Sequence, residues 1–220
     1  MCGITGLVDF TKRSEKEHLS AMSASLHHRG PDDDGVAWFD HSNASIGLGF
    51  RRLAILDLST AGHQPMALAS NQSWIVFNGE IYNYRELRAT LESSGFTFTT
   101  DSDTEVLLAL YAHSGPGFVE KLRGMFAFAL WDDARKGLLL ARDSFGIKPL
   151  YYANDRQRLR FASQVKALLA GGDIDDAPDP AGYAGYCIFG SVPEPFTLYR
   201  GIHPLAAGTT LWTDGDGVGY

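Results

Sequence analysis

The sequence predicts a layered sandwich in which antiparallel β-sheets stack on each other and helices cover their outer faces. Strand-like runs bounded by Gly, Asp and Asn dominate the first 162 residues. Two of these runs, 125–131 and 137–142, flank the polar turn 132–136 and predict an antiparallel hairpin. Both runs show little polar alternation, so each strand should be covered on both faces. Stacked sheets with outer helices provide that covering.

Seven segments have the composition and length of strands, and three predict helices. The strands are 4–10, 35–39, 44–56, 74–82, 125–131, 137–142 and 158–162. The helices are 15–28, which Gly30-Pro31 stops, 84–92 and 103–113. Between 171 and 180 the composition shifts to Gly, Asp and Pro, which indicates a surface linker before a short helix and an extended tail. We therefore expect a domain over 1–170 and a linker with tail over 171–220.

Composition and charge exclude several classes of partner. The 220 residues, 45% of them hydrophobic, suffice for a packed core. A net charge of -7 without clustered cations argues against binding to nucleic acid or to an anionic membrane. No secretory signal or membrane-spanning run is visible, so we expect a cytoplasmic protein. Two cysteines and scattered histidines do not predict a metal site.

Cys2 is the first candidate catalytic residue. Removal of Met1, which is usual before a small residue, would leave Cys2 with a free α-amine. Reference pKa values of about 8.5 for a thiol and about 7.7 to 8.0 for an α-amine let the amine accept the thiol proton near neutral pH. A chance cysteine at this position is the alternative. The other cysteine, Cys187, lies in an apolar stretch and is expected to be a buried structural thiol.

Asn78-Gly79 supports two interpretations. It lies between strand-like residues, and Asn-Gly is the strongest short-range signal for a hairpin turn. Alternatively, the carboxamide of Asn78 and the backbone N–H of Gly79 could point at a tetrahedral oxyanion, where one donor can contribute roughly 2.7 to 4 kcal/mol. Glycine would then allow close backbone approach.

Charged residues on two elements could bind a small ligand. Arg51 and Arg52 are consecutive in a predicted strand, so only one can face a given pocket, where its guanidinium could bind a carboxylate bidentately. A solvated surface arginine is the alternative. Ser102 and Glu105 predict a capping box at a helix start. Asp103 could complement the helix dipole or pair with a ligand ammonium.

Together these residues resemble the N-terminal glutaminase domain of glutamine-hydrolysing asparagine synthetases, class II amidotransferases of the N-terminal-nucleophile type. The similarity spans effectively the whole chain. Each motif alone is weak, but all of them occur in one order. They are Cys2-Gly3-Ile4, His28-Arg29-Gly30-Pro31-Asp32, Arg52-Leu53-Ala54-Ile55, Asn78-Gly79-Glu80-Ile81-Tyr82-Asn83, Ser102-Asp103-Thr104-Glu105, Arg142-Asp143, Gly146-Ile147-Lys148-Pro149-Leu150-Tyr151-Tyr152, Val192-Pro193-Glu194-Pro195 and Gly201-Ile202.

The resemblance implies an α+β fold of the N-terminal-nucleophile hydrolase type, a four-layer αββα sandwich of antiparallel sheets. It implies that Cys2 hydrolyses L-glutamine to L-glutamate and ammonia through a thioester. It assigns Asn78 and Gly79 to the oxyanion hole. The residues that it assigns to the substrate pocket are Arg52 for the α-carboxylate, Asp103 for the α-ammonium, and Leu53, Ile55, Leu56 and Glu80 for the lining.

The resemblance also implies partners. It gives the class II glutamine amidotransferase domain the residues 1–170, and it implies no cofactor for the glutaminase reaction. Family members carry a Ser-Gly-Gly-x-Asp-Ser loop in a synthetase domain that uses ATP and Mg²⁺, and that loop does not occur in this sequence. A C-terminal or separate synthetase domain is therefore the expected partner for ammonia, and a homodimer is left open.

Two other functions remain open. A glutaminase could serve a sugar-phosphate or phosphoribosyl acceptor, although segments 145–149 and 192–195 favour the asparagine synthetase branch. A catalytically silent glutamine-binding or partner-docking module would result if Met1 were retained, because an amide nitrogen would then replace the base.

Overall fold

Two antiparallel β-sheets with helices on their outer faces make up the computed structural model, which describes residues 1–53, 62–68, 72–214 and 217–219. The strands are β1 (Gly3–Asp9), β2 (Asp33–Asp40), β3 (Ser45–Arg52), β4 (Met66–Leu68), β5 (Ser73–Ile81), β6 (Gly124–Asp132), β7 (Gly137–Arg142), β8 (Tyr151–Asn154), β9 (Arg158–Ala162), β10 (His203–Pro204), β11 (Thr210–Asp214) and β12 (Gly217–Gly219). The helices are α1 (Lys16–Ser25), α2 (Tyr84–Ser93), α3 (Asp103–Ser114), α4 (Val165–Ala170) and α5 (Pro180–Phe189), with 3₁₀ turns at His27–Arg29 and Pro116–Lys121.

Within the described ranges, each sheet has six strands. The first sheet runs in the order β10-β8-β9-β1-β3-β2, and the second runs β12-β11-β7-β6-β5-β4. Every strand pair in both sheets is antiparallel. The strand that begins next to Cys2, β1, therefore lies in the interior of its sheet, paired with β9 on one side and β3 on the other.

A hydrophobic core joins the two sheets face to face. It contains Ile4 and Val8 from β1 together with Ala127 and Ala129 from β6, and all four residues are fully buried. Side chains of a strand alternate between its two faces, so the intervening residues of β6 point the other way. Phe128 belongs to a second core that lies outside this pair of sheets.

Helices cover both outer faces. The second core packs Phe128 of β6 against Leu108 of α3 and Leu91 of α2. On the opposite side of the molecule, Met22 of α1 and Leu168 of α4 cover the first sheet. The order of layers is helices, sheet, sheet, helices, which confirms the predicted αββα sandwich and explains why β6 and β7 lack polar alternation.

The seven predicted strands all occur, with small shifts at their ends, and three differences have physical reasons. The predicted strand 44–56 ends at Arg52, and residues 54–56 lie outside the described part of the chain. The hairpin turn at Asn78-Gly79 is wrong, because both residues are inside β5 and pair with β6. The capping box is also wrong: Ser102 caps α3 by accepting from the Thr104 N–H, but Glu105 accepts instead from residues 99 and 100.

The residues after 170 contain one helix and several short strands. β10 pairs with β8 in the first sheet, and β11 pairs with β7 in the second. Ile202, Leu205 and Leu211 are buried in the cores. The division into a domain over 1–170 and a tail over 171–220 stays a prediction.

The buried face of α5 consists of glycine. Gly182 and Gly185 approach the chain at Thr197 and Pro193 so closely that a Cβ on either would clash. The large side chains of the helix therefore face outward, and Cys187 is exposed. The expectation that Cys187 is buried is wrong for this reason.

Within the part of the chain that the structure describes, no helix is long and apolar enough to cross a membrane.

Candidate active site

A cavity of about 810 Å³ opens where β1, β3 and β5 meet the start of α3. Seven of the nine predicted site residues line it: Cys2, Arg52, Leu53, Asn78, Gly79, Glu80 and Asp103. The remaining two, Ile55 and Leu56, lie outside the described residues. A volume of this size is in the range of small-molecule sites.

Cys2 is fixed at the wall of this cavity by contacts of its own sulfur and carbonyl and by the pairing of Gly3. Gly3 is paired with Arg51 in the β1–β3 ladder, which places Cys2 beside the end of β3. Its half-buried Sγ lies 3.4 Å from the N of Leu53, which donates to it, and 3.7 Å from the O of Leu53. The Nε of Arg29 donates to the Cys2 carbonyl at 3.0 Å. The position of the sulfur is thus set by contacts with the residue that follows β3.

Asn78 faces Cys2 from the second sheet. Val76, two residues earlier on β5, belongs to the core between the sheets, so Asn78 and Glu80 project from that same face. Asn78 is 2% exposed, and its buried Nδ2 has no hydrogen-bond partner among the residues that the structure describes. Buried polar groups are nearly always paired, so an unpaired amide donor beside a cavity indicates a ligand that accepts from it.

The N–H of Gly79 points toward the same cavity. Phe126, its partner on β6, directs its own N–H and C=O to Asp143, so the Gly79–Phe126 pair exchanges no backbone hydrogen bonds. Along this open edge of β5, the N–H of Phe77 donates to Gln64 at 2.6 Å and that of Ile81 donates to Asp103 at 3.0 Å. Gly79 lies between these two satisfied donors, and its N–H is directed outward.

Glycine is required at position 79 by close packing. A Cβ there would collide with the backbone of Met125 and with the Cα of Phe126 on the neighbouring strand. The sheet is therefore unusually tight at the point where the N–H of Gly79 faces the cavity.

Asp103 is the first residue of α3 and is half-buried against the end of β5. Burial raises the pKa of its carboxyl from 3.8 to about 6, and the charge of Glu80 acts in the same direction. Hydrogen bonds from the N–H groups of Ile81 and Thr104 oppose this shift. A buried carboxylate with a raised pKa is one that a cationic ligand would stabilise.

Of the two consecutive arginines, Arg52 faces the cavity. It is 9% exposed, and its guanidinium packs closely on Gly62. Arg51 turns to the other face, where its Nε donates to Ser23 and its Nη1 lies 3.4 Å from Asp34. This confirms that only one of the pair can serve the pocket.

Gln64 and Lys148 are two of the polar residues of the cavity wall that sequence reasoning missed. Gln64, 4% exposed, accepts from the Phe77 N–H and donates to Thr104 Oγ1 at 3.3 Å, so it ties β5 to α3. Lys148 is 7% exposed and also lines the cavity. Gln64 belongs to none of the sequence motifs described above. Lys148 lies within the motif 146–152, but the resemblance assigned it no role.

Metal ligands are not grouped in the described residues. No set of three or more His, Cys, Asp or Glu side chains is arranged there to hold a metal ion.

The layered fold is one that amidotransferases of known structure share. Among solved structures, the chain is similar to glutamine phosphoribosylpyrophosphate amidotransferase from Bacillus subtilis, with a TM-score of 0.72 and 19% identity over 99% of this chain and 48% of that one. At this identity the likeness concerns the fold. A family model described as "Glutamine amidotransferase domain" matches residues 1–219, so the chain belongs to that family.

Sequence relatives point to one branch. The chain is 44% identical to glutamine-hydrolyzing asparagine synthetase 1 of Bacillus subtilis over 98% of this chain and 34% of that protein. It is 38% identical to putative glutamine-hydrolyzing asparagine synthetase 2 of Methanocaldococcus jannaschii over 98% of this chain and 44% of that protein. The chain thus spans less than half the length of these curated relatives.

Proposed function

We propose that the chain hydrolyses L-glutamine to L-glutamate and ammonia, with Cys2 as the nucleophile. The observation that carries this proposal is the unpaired Nδ2 of Asn78 in the cavity that also contains the sulfur of Cys2. The same cavity contains a buried guanidinium, that of Arg52, and a carboxyl with a raised pKa, that of Asp103. An amino-acid substrate needs a cation and an anion for its zwitterionic end and neutral donors at its reacting amide.

The α-amine of Cys2, free after removal of Met1, is the base of this reaction. It takes the thiol proton as the sulfur adds to the side-chain amide carbon of glutamine, directly or through a water. A carbon–sulfur bond forms, and the carbonyl oxygen becomes an oxyanion that accepts from Asn78 Nδ2 and the Gly79 N–H.

Collapse of this intermediate releases ammonia. The carbon–nitrogen bond breaks as the ammonium of Cys2 protonates the leaving nitrogen, which leaves a γ-glutamyl thioester. Water then adds to the thioester with the same amine as base, and the same two donors receive the second oxyanion. The carbon–sulfur bond breaks, glutamate departs, and the thiol is restored.

Substrate orientation follows from the two charged residues. Arg52 would bind the α-carboxylate through its guanidinium, and ionised Asp103 would bind the α-ammonium. Leu53 and Glu80 line the space between these residues and the sulfur. The side-chain amide of glutamine would then reach the oxyanion donors of β5.

A matched pair of cysteine variants tests the nucleophile. Glutamate release from glutamine should be lost in Cys2→Ala and unchanged in Cys187→Ala, because Cys187 is exposed on α5 and is the other cysteine of the chain. Covalent labelling with a glutamine-mimicking electrophile, followed by peptide mapping, should modify Cys2. Hydrolysis by Cys2→Ala at the ordinary rate, or labelling of Cys187 in place of Cys2, would contradict the mechanism.

Retention of Met1 would favour the alternative of a silent glutamine-binding module. Met1 lines the cavity beside Cys2 when it is attached, and the nitrogen of Cys2 is then an amide that cannot act as the base. Intact mass spectrometry separates the two cases. A mass that includes Met1, together with glutamine binding and no turnover, would support the silent module.

We further propose that the ammonia serves asparagine formation in a synthetase domain that uses ATP and Mg²⁺. The names and greater length of the two relatives support this acceptor over a sugar phosphate. The large apolar side chains that α5 exposes suit a contact with a further part of a longer protein. They are Tyr183, Tyr186, Ile188 and Phe189. This chain alone, given aspartate, ATP, Mg²⁺ and glutamine, should form glutamate but no asparagine. The cytoplasmic location of the protein and the formation of a homodimer stay predictions.

A further inference from the structure

A second cavity, of about 440 Å³, lies at the outer side of the first sheet near the start of α4. It shares no lining residue with the catalytic cavity. His28, Arg29 and Lys166 line it, and the proposed reaction uses none of them as a chemical group. The grouping of these three side chains therefore needs a separate explanation.

The charge of this second cavity is opposite to that of the protein. The chain has a net charge of -7, yet none of the residues that line the cavity is acidic. The Nζ of Lys166 lies 3.2 Å from Nδ1 of His28, so these two side chains converge. In the part of the chain that the structure describes, no carboxylate is within ion-pair distance of His28, Arg29 or Lys166.

Arg29 has one nitrogen engaged and one unpaired. Its Nε donates to the carbonyl of Cys2, whereas its buried Nη2 has no partner in the described ranges of the chain. Burial lowers the pKa of this guanidinium, and the nearby Cys2 opposes that shift. A buried charged donor without an acceptor is costly, so an oxyanion that accepted from Nη2 would be stabilised strongly.

Gln164 supplies a second unpaired atom. Its Oε1 is buried, no described residue forms a hydrogen bond with it, and Gln164 lines the same cavity. A ligand that both accepts from cations and presents a hydroxyl would satisfy Arg29 and Gln164 together. The singly protonated form of phosphate has both properties, whereas a carboxylate is an acceptor alone.

We propose that this second cavity binds a phosphate monoester, with its phosphoryl group among His28, Arg29 and Lys166. Two permanent cations match the charge of the phosphate, and guanidinium and ammonium groups are the common phosphate ligands in proteins. The cavity is several times larger than a phosphate group. Pro149 and Tyr151, which also line it, offer an apolar wall for the organic part. The proposal does not depend on the glutaminase reaction.

Gln164→Glu is the most informative variant. It is nearly isosteric and places a carboxylate in the cavity with Arg29 and Lys166, so a built-in anion would compete with the ligand. Lys166→Ala removes one of the cations, and this exposed residue can be truncated without loss of core packing. Lys121→Ala is the matched control, because Lys121 lies near the opposite helical layer, where its Nζ contacts Ser114.

The measurement is isothermal titration calorimetry of the full chain with inorganic phosphate, phenyl phosphate and acetate at constant ionic strength. The affinity for inorganic phosphate should fall about tenfold or more in Gln164→Glu and about fivefold in Lys166→Ala, and it should not change in Lys121→Ala. Phenyl phosphate should bind wild-type protein more tightly than inorganic phosphate does. Circular dichroism of each variant checks that it is folded.

Three results would overturn the proposal. Equal phosphate affinity in wild type and both cavity variants would show adventitious ion binding at the surface. Acetate binding as tight as phosphate binding would remove the assignment to a phosphate. Inorganic phosphate binding without any gain from the phenyl group would show that no organic part is recognised.

Discussion

Replacement of Asn78 by Ala should abolish most of the turnover and leave the fold at least as stable. The amide is 2% exposed, and its buried Nδ2 has no partner in the described structure, so its truncation breaks no hydrogen bond made by that nitrogen. A buried polar group left unpaired costs about 1 to 3 kcal/mol, so its removal should leave the free energy of unfolding unchanged or raise it by up to about 1 kcal/mol. In the transition state the same donor contributes roughly 2.7 to 4 kcal/mol, so kcat should fall about 100- to 1000-fold.

The assay is glutamate formation from glutamine, with kcat and KM determined separately, beside urea unfolding of the same samples. KM should change little, because the α-carboxylate and α-ammonium sites are untouched. Asn83→Ala is the control: Asn83 donates to the Lys121 carbonyl and accepts from the Arg123 N–H, and it lies outside the cavity. That variant should lose about 1 kcal/mol of stability and keep its kcat.

The two asparagines thus predict opposite outcomes from the same chemical change. If Asn78→Ala lost stability as Asn83→Ala does and retained kcat within about threefold, Asn78 would be a structural residue, and the oxyanion role would be wrong.

Four further predictions concern three charged side chains, those of Asp103, Arg52 and Asp9. KM for glutamine should rise about tenfold per unit as the pH falls below about 6, because protonated Asp103 cannot bind the ammonium; kinetics from pH 5 to 8 check this. Since the same pKa is raised from 3.8, the ionised form of Asp103 lowers the free energy of unfolding as the pH rises through about 4 to 6, and Asp103→Asn should remove that slope. Arg52→Lys should raise KM by about tenfold or more with a smaller effect on kcat, measured by the same kinetics, because a lysine cannot bind a carboxylate bidentately. Burial opposes ionisation of Asp9, but hydrogen bonds from Ser14 and Thr11 lower the pKa of its carboxyl to about 2. The stability that ionised Asp9 contributes should therefore be complete above about pH 4 and be lost as the pH falls toward 2. Urea unfolding of wild type and Asp9→Asn over this pH range checks the prediction.

The layered fold could be predicted because its central strands are covered on both sides. The sequences of β6 and β7 are almost continuously apolar, which indicates burial on both faces of each strand. The short strands β4, β8 and β10 could not be predicted, since runs of two to four residues give no measurable alternation. The same holds for the outward-facing apolar surface of α5, where glycine rather than a large side chain forms the buried face.

The site could be predicted where residue type and chemistry coincide, and less where tertiary contacts decide. Asn78-Gly79 has the local preference of a turn, but pairing of all nine residues of β5 with β6 overrides it. Glu105 follows Ser102 at the spacing of a capping box, yet the backbone and hydroxyl donors of Thr99 and Thr100 take its carboxylate. Gln64 forms hydrogen bonds with Phe77 of β5 and Thr104 of α3, which are 13 and 40 residues away in the sequence. No short sequence motif can indicate contacts at such separations.

The interior position of β1 has a practical consequence for handling the protein. Most chains can carry a purification tag at their amino end because that end hangs free. Here anything fused ahead of Met1 would continue directly from β1, which is paired on both sides, and would keep Met1 in the cavity wall beside Cys2. A tag at the carboxyl end, or one that a protease trims back to Cys2, is therefore the design compatible with an active preparation.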